Sequence, residues 1–140
     1  MARIMAIDYG RKRVGIAVTD PLKIIANGLT TVHSKDIFDF LKEYFNSEPV
    51  EEVVIGYPVN LNNTPSQALE FVNPFIKKFK LTFPEMPVSI FDERFTSKMA
   101  FQTMIDGGLK KKARQDKAMI DKVSATIILQ SFMERKASGN

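Results

Sequence analysis

Apolar residues come in short runs near the N-terminus and at helical spacing further on. Residues 4–7 rise to a single carboxylate, Asp8, and stop at Gly10 and three cations, Arg11, Lys12 and Arg13. A β-branched run, residues 14–19, then leaves. Short apolar runs bounded by turn residues predict two strands joined as a hairpin. Asp20 and Pro21 break the second run, residues 23–28 read as a connection, and residues 29–32 predict a third strand in an antiparallel meander. Ser34 is a good N-cap, and Ile37, Phe38, Leu41, Tyr44 and Phe45 follow at helical spacing. Residues 52–56 form the next predicted strand, and a strand–helix–strand unit favours a parallel crossover. Residues 57–65 are a polar loop at that strand's C-terminal end, the side where open α/β sheets bind ligands.

Thr64 can cap a second helix, with Pro65 at its first position and Ala68, Leu69, Phe71, Val72, Phe75, Ile76 and Phe79 on its apolar face. Pro74 lies inside this pattern and is expected to kink or split it. Residues 87–91 predict a last strand, which runs into Asp92, Glu93 and Arg94. A helix then starts at Thr96 or Ser97, runs through Met99, Met104 and Ile105, and ends at Gly107 and Gly108. A final helix carries Ile120, Val123, Ala125, Ile127, Ile128, Leu129 and Phe132. The order predicts an α/β fold: a mixed five-stranded sheet, an antiparallel meander of three strands plus two parallel strands, flanked by helices. No repeat, low-complexity tract or interdomain linker interrupts it.

With 140 residues, 44% of them apolar, the chain suits one domain over 1–140, with a frayed tail from about residue 134. It contains no cysteine, which excludes disulfides and thiolate metal sites and fits a reducing cytoplasm. The N-terminal apolar run is too short for a signal peptide or a membrane span, so a cytoplasmic protein without membrane association is expected. Net charge is +4, and its placement is local. Lys110, Lys111, Lys112, Arg114 and Lys117 face only Asp116 within their stretch, and the rest of the chain balances at fifteen charges of each sign. Such a block points to an anionic partner at one place, with a solvated basic loop as the alternative. His33, the only histidine, receives no role.

Three acidic positions share a feature. Asp8 ends the first strand, Asp92 and Glu93 end the last, and Asp121 lies on the final helix just before the small residues Ser124 and Ala125. Acidic groups at one edge of neighbouring strands can converge, and small residues allow a helix to lie close against a sheet. Carboxylates brought together repel, so such a cluster requires a cation. Oxygen ligands without histidine or cysteine favour Mg2+ or Mn2+ over zinc. Two such ions, about 4 Å apart, serve in-line displacement at a phosphodiester. On spacing alone, an unrelated trio stays open: one carboxylate capping its turn, one paired with Arg94 and one on a solvated helix face.

Four stretches then resemble the signature blocks of the YqgF family, also called RuvX or Holliday-junction-resolvase-like proteins. They are residues 7–17 (IDYGRKRVGIA), 54–58 (VIGYP), 92–96 (DERFT) and 120–130 (IDKVSATIILQ). The resemblance runs from Arg3 to about Phe132. It implies an RNase H-like fold and a metal-dependent nuclease, usually assigned to maturation of the 5′ end of the small-subunit ribosomal RNA precursor. An older assignment, by similarity to RuvC, is Holliday junction resolution. The family's acidic residues fall on Asp8, Glu93 and Asp121, which the resemblance makes catalytic metal ligands for Mg2+ or Mn2+. Asp8 would bridge two ions, and the products would carry a 5′-phosphate and a 3′-hydroxyl. Arg11, Lys12, Arg13, Arg94, Thr96, Lys110, Lys111, Lys112, Arg114 and Lys117 would bind nucleic acid. Gly10, Gly15, Gly56 and Pro58 would be structural. Where the family often has an acidic residue and glycines, this chain has Asn60, Asn62, Asn63 and Thr64, and asparagine tolerates left-handed turns.

Asp92 and Glu93 are neighbours, and strand alternation sends only one of them to the site. Two rivals to a nuclease are an actin-like sugar kinase or ATPase, which needs two such lobes, and a non-catalytic nucleic-acid-binding module. RNA is the expected partner, with structured DNA the alternative, since nothing in the residues reads a 2′-hydroxyl. The expected state is a monomer or weak homodimer; a four-way junction resolvase requires a symmetric dimer.

Overall fold

A computed structural model describes residues 2–59, 66–95 and 117–139, with only the backbone described at 95 and 117–120. The first apolar run forms β1 (Arg3–Tyr9), and the run after the cations forms β2 (Arg13–Thr19). β3 (Ala26–His33), α1 (Ile37–Ser47), β4 (Val50–Tyr57), α2 (Leu69–Thr82), β5 (Val88–Asp92) and α3 (Lys117–Ala137) follow. The strands lie in the order β3-β2-β1-β4-β5. β1, β2 and β3 pair antiparallel, while β4 pairs parallel to β1 and to β5. This is the mixed five-stranded sheet that the residue pattern predicts.

Alternation along the strands separates two unlike faces. On one, Met5, Ile7, Val14, Ile16, Val18, Val53 and Ile55 meet Ile37 and Leu41 of α1 and Phe75 and Phe79 of α2 in a core of large side chains. On the other, Ile4, Ala6, Ala17, Ala26, Val54 and Phe91 meet Ala125, Ile128 and Leu129 of α3. Three glycines complete this shallow floor. A Cβ on Gly15 would run into the Asp121 carbonyl, one on Gly28 would lie 2.7 Å from Lys122 Cγ, and one on Gly56 would lie 2.7 Å from Ile128 Cδ1. At Gly15 the strand meets the backbone of α3, and at Gly28 and Gly56 it meets α3 side chains. The sequence pattern credits Ser124 and Ala125 with that approach; Ala125 is buried in it, and the strand glycines contribute as well.

Three local expectations change. β3 starts at Ala26, so residues 26–28 are strand and not connection, with a register shift between Ile16 and Ala17 accommodating the longer pairing. The Asp20 carboxylate tightens the turn before it, accepting the amides of Leu22, Ile24 and Ile25 at 3.2, 2.8 and 2.7 Å. Ser34 does not cap α1. It begins a single 3-10 turn (Ser34–Asp36), and its hydroxyl donates to the Arg11 carbonyl at 2.7 Å, tying the β1–β2 turn to the sheet edge. α2 runs unbroken through Pro74. Pro in a helix interior costs roughly 3 kcal/mol, whereas burial of Val72, Phe75 and Phe79 contributes roughly 1.5–3 kcal/mol per side chain. Phe75 also stacks on Tyr9 with centroids 4.2 Å apart. Thr64, Pro65 and the helix predicted from Thr96 or Ser97 to Gly107 and Gly108 lie outside the described residues.

Gly15→Ala should lower stability by about 2–3 kcal/mol, because the obstructing atom is helix backbone. Gly28→Ala should cost less, since its nearest neighbour is a flexible lysine side chain. Urea denaturation midpoints rank the two. Equal stability of Gly15→Ala and the parent would show that the close approach is not required.

Candidate active site

Asp8 is the last but one residue of β1, and alternation directs it to the α3 face with Ile4 and Ala6. It pairs across the ladder with Gly15, so no side chain from β2 stands beside it. Asp8 does not cap its turn: the Gly10 amide donates to the Arg13 carbonyl at 2.9 Å. A Cβ at Gly10 would lie 2.5 Å from that carbonyl oxygen, so the tight turn accepts only glycine. Arg11 and Lys12 are exposed on the turn.

β4 pairs with β1 up to Ile55 opposite Ile7, and Gly56 follows at the level of the site. Glu93 opens a 3-10 turn (Glu93–Phe95) immediately after β5. Its carboxyl lies over Gly56, where an added Cβ would stand 3.3 Å from Glu93 Cδ. Gly15 therefore makes room for the α3 backbone at Asp121, and Gly56 for Ile128 and Glu93. Asp92 is held apart from this space. Its carboxylate takes Nε and Nη2 of Arg94 at 2.9 and 2.6 Å and the Arg94 amide at 2.9 Å, and these bonds hold its pKa below the usual range. Arg94, expected at phosphate, is thereby engaged by Asp92.

Asp121 sits near the start of α3 with its carbonyl against Gly15. Its Oδ2 accepts Arg13 Nε at 2.8 Å. Spacing could not reveal this pair, whose members lie 108 residues apart. The available signal was that one of the three turn cations must enter β2 and so face another element. Pro58 follows β4 and is half-buried. Thr96, Lys110, Lys111, Lys112 and Arg114 lie outside the described residues, as do Asn60, Asn62, Asn63 and Thr64; Lys117 starts α3 without a described side chain.

The electrostatics are one-sided. Burial, then the Asp121 carboxylate, raises the pKa of Asp8 to about 6. Burial, then Asp8, then Asp92, raises Glu93 to about 7. Excess negative charge on the oxygen donors Asp8, Glu93 and Asp121 fits a hard divalent cation. Among the described residues, no three acidic, histidine or cysteine side chains stand close enough to hold one ion together. Asp8 and Glu93 face each other electrostatically, while Asp121 is turned to Arg13.

Because folding raises both pKa values, the native state holds more protons than the unfolded state between about pH 4 and 7. Without metal, these groups therefore remove stability as pH rises through that window. Asp8→Asn should be more stable than the parent at about pH 8, by about 2 kcal/mol after discounting for partial exposure, and should show a shallower decline. Thermal denaturation in chelator across this range reads both; an unchanged slope would overturn the assignment of Asp8 as a strained carboxyl.

Comparison with known proteins concerns the whole chain. The family model RuvX, described as a Holliday junction resolvase, matches residues 2–135. A Flavobacterium psychrophilum protein named "Putative pre-16S rRNA nuclease" is 57% identical over 136 residues, covering 97% of this chain and 99% of that one. One of the same name from Christiangramia forsetii is 58% identical over 133 residues, covering 95% and 98%. Among solved structures, RuvC of T. thermophilus in complex with a Holliday junction substrate matches with a TM-score of 0.63 at 14% identity, covering 99% of this chain and 97% of that one. The Fowlpox virus resolvase in complex with Holliday junction DNA matches at 0.59 and 14% identity, covering 96% and 98%. The fold is thus the RNase H-like fold of the RuvC resolvases, and with a family match across nearly its whole length the chain belongs to the RuvX family.

Proposed function

We propose that this chain is a metal-dependent nuclease that hydrolyses phosphodiester bonds in maturation of the 5′ end of the small-subunit ribosomal RNA precursor. The observation that carries this reading is the pair of half-buried carboxyls with raised pKa values, Asp8 and Glu93, at one sheet edge of a RuvX-family chain. The names of its relatives supply the substrate class.

Asp8, Glu93 and Asp121 are the residues to hold Mg2+ or Mn2+, in one or two sites. Bound there, such ions would lower the pKa of a water and neutralise charge on the phosphate. Asp8 and Glu93 must give up their protons first, so activity should rise with pH through about 6 to 7. Arg11 and Lys12, exposed on the adjoining turn, are placed to meet phosphates, and the basic stretch from 110 to 117 precedes or begins the helix that carries Asp121. Water forms the new bond to phosphorus, and the 3′ oxygen leaves with a proton, giving a 5′-phosphate and a 3′-hydroxyl. The reading takes residues 1–140 as one nuclease domain, monomeric or weakly dimeric, in the cytoplasm; no helix among the described residues is long and apolar enough to cross a membrane.

A second reading, Holliday junction resolution, draws on the family model's description and on the fold of the junction-bound resolvases. Cleavage of precursor ribosomal RNA, a four-way DNA junction and single-stranded RNA side by side in Mg2+ distinguishes them. Precursor RNA should be cut and the junction left intact, and Asp8→Asn should lose at least about 10³-fold in rate while remaining folded. Full activity of Asp8→Asn would overturn the mechanism; junction cleavage without RNA cleavage would favour the second reading.

A further inference from the structure

Of the three cations beside Asp8, Arg13 alone is turned onto a site carboxylate. Its Nε donates to Asp121 Oδ2 at 2.8 Å, and both partners are held on fixed backbone. The Arg13 carbonyl accepts the Gly10 amide, and its residue pairs with His33 in the ladder. The Asp121 carbonyl lies against Gly15. The oxygen that Arg13 occupies belongs to the carboxylate that acts on Asp8 and that a three-carboxylate site would need. One oxygen lone pair directed at a guanidinium is not available to a metal ion. The pair is partly exposed, 36% at the Arg13 side chain and 25% at Asp121, and ion pairs of that kind are weak enough to exchange.

We propose that Arg13 is a positioning residue that stands in for the cation at Asp121. It competes with a divalent ion for that carboxylate and is freed toward the substrate phosphate once the ion takes its place. An arginine so freed carries a planar fork of donors suited to a phosphate. The inference rests on the metal-dependent nuclease reading, but it concerns which protein group the metal displaces.

The test is Mn2+ titration of the full chain at about pH 8, with free Mn2+ followed by electron paramagnetic resonance. Arg13→Gln should bind Mn2+ about fivefold more tightly, the factor that a partly exposed ion pair is worth. In an Asp121→Asn background the same substitution should have no further effect, because the shared carboxylate is gone. Unchanged or weaker binding by Arg13→Gln overturns the proposal, since a merely structural pair would lower affinity when broken. Should Arg13→Gln fail to fold, the Arg13 Nε–H resonance of ¹⁵N-labelled parent protein serves instead. It should move as Mg2+ saturates the parent and stay still in Asp121→Asn; a resonance indifferent to Mg2+ in the parent overturns the exchange. Absence of Mn2+ binding by the parent overturns this proposal and the metal-dependent reading together, whereas binding that Arg13→Gln does not tighten overturns this one alone.

Discussion

The close seating of α3 on the sheet is the constraint on which the candidate site depends. Gly15, Gly28 and Gly56, with Ala6, Ala17 and Ala26, give that face almost no side-chain height. The helix backbone therefore rests near the strands, and Asp121 arrives beside the edge that carries Asp8. The opposite face is built from methionine, isoleucine, valine and phenylalanine, which hold α1 and α2 at ordinary side-chain distance. Larger residues at the three glycines would lift α3 and remove its carboxylate from the edge. The asymmetry of the two faces is thus a functional as well as a packing feature.

That seating has an electrostatic cost, since it concentrates acidic groups where burial already penalises charge. Asp8 and Glu93 respond by holding their protons more strongly. Asp121 and Asp92 find arginines instead, Arg13 and Arg94. The edge therefore holds two kinds of carboxylate: a pair left to repel, and two satisfied by neighbouring cations. A divalent ion suits the first kind and must compete for Asp121 in the second. This arrangement gives Arg13 a dual relation to ion and phosphate that its place among three consecutive cations does not disclose.

The local departures have two causes. Ser34 has the chemistry of a helix cap, yet the Arg11 carbonyl is closer and its hydroxyl goes there. Pro74 has the chemistry of a helix breaker, yet burial of Val72 before it and of Phe75 and Phe79 after it carries α2 through. Asp20 organises its turn through three backbone amides, allowing β3 to start earlier than composition indicates. For Ser34 and Pro74 a tertiary contact outweighs a preference expressed by one or two residues, whereas Asp20 acts locally, on amides two to five residues further on.

Runs of apolar residues at period two and at helical spacing determined the elements, their order and the mixed sheet, because burial of a strand face or helix stripe is written locally in every residue. The same pattern put Asp8 at a strand end, whereas Glu93 parts from Asp92 because β5 ends at Asp92 and a 3-10 turn begins at Glu93. The electrostatic coupling of Asp8 to Glu93, the capture of Asp121 by Arg13 and the use of strand glycines as a floor for α3 were decided only by the tertiary structure. These depend on register between strands and on distances across 108 residues of chain, and no local pattern encodes a charge partner that folding alone brings near.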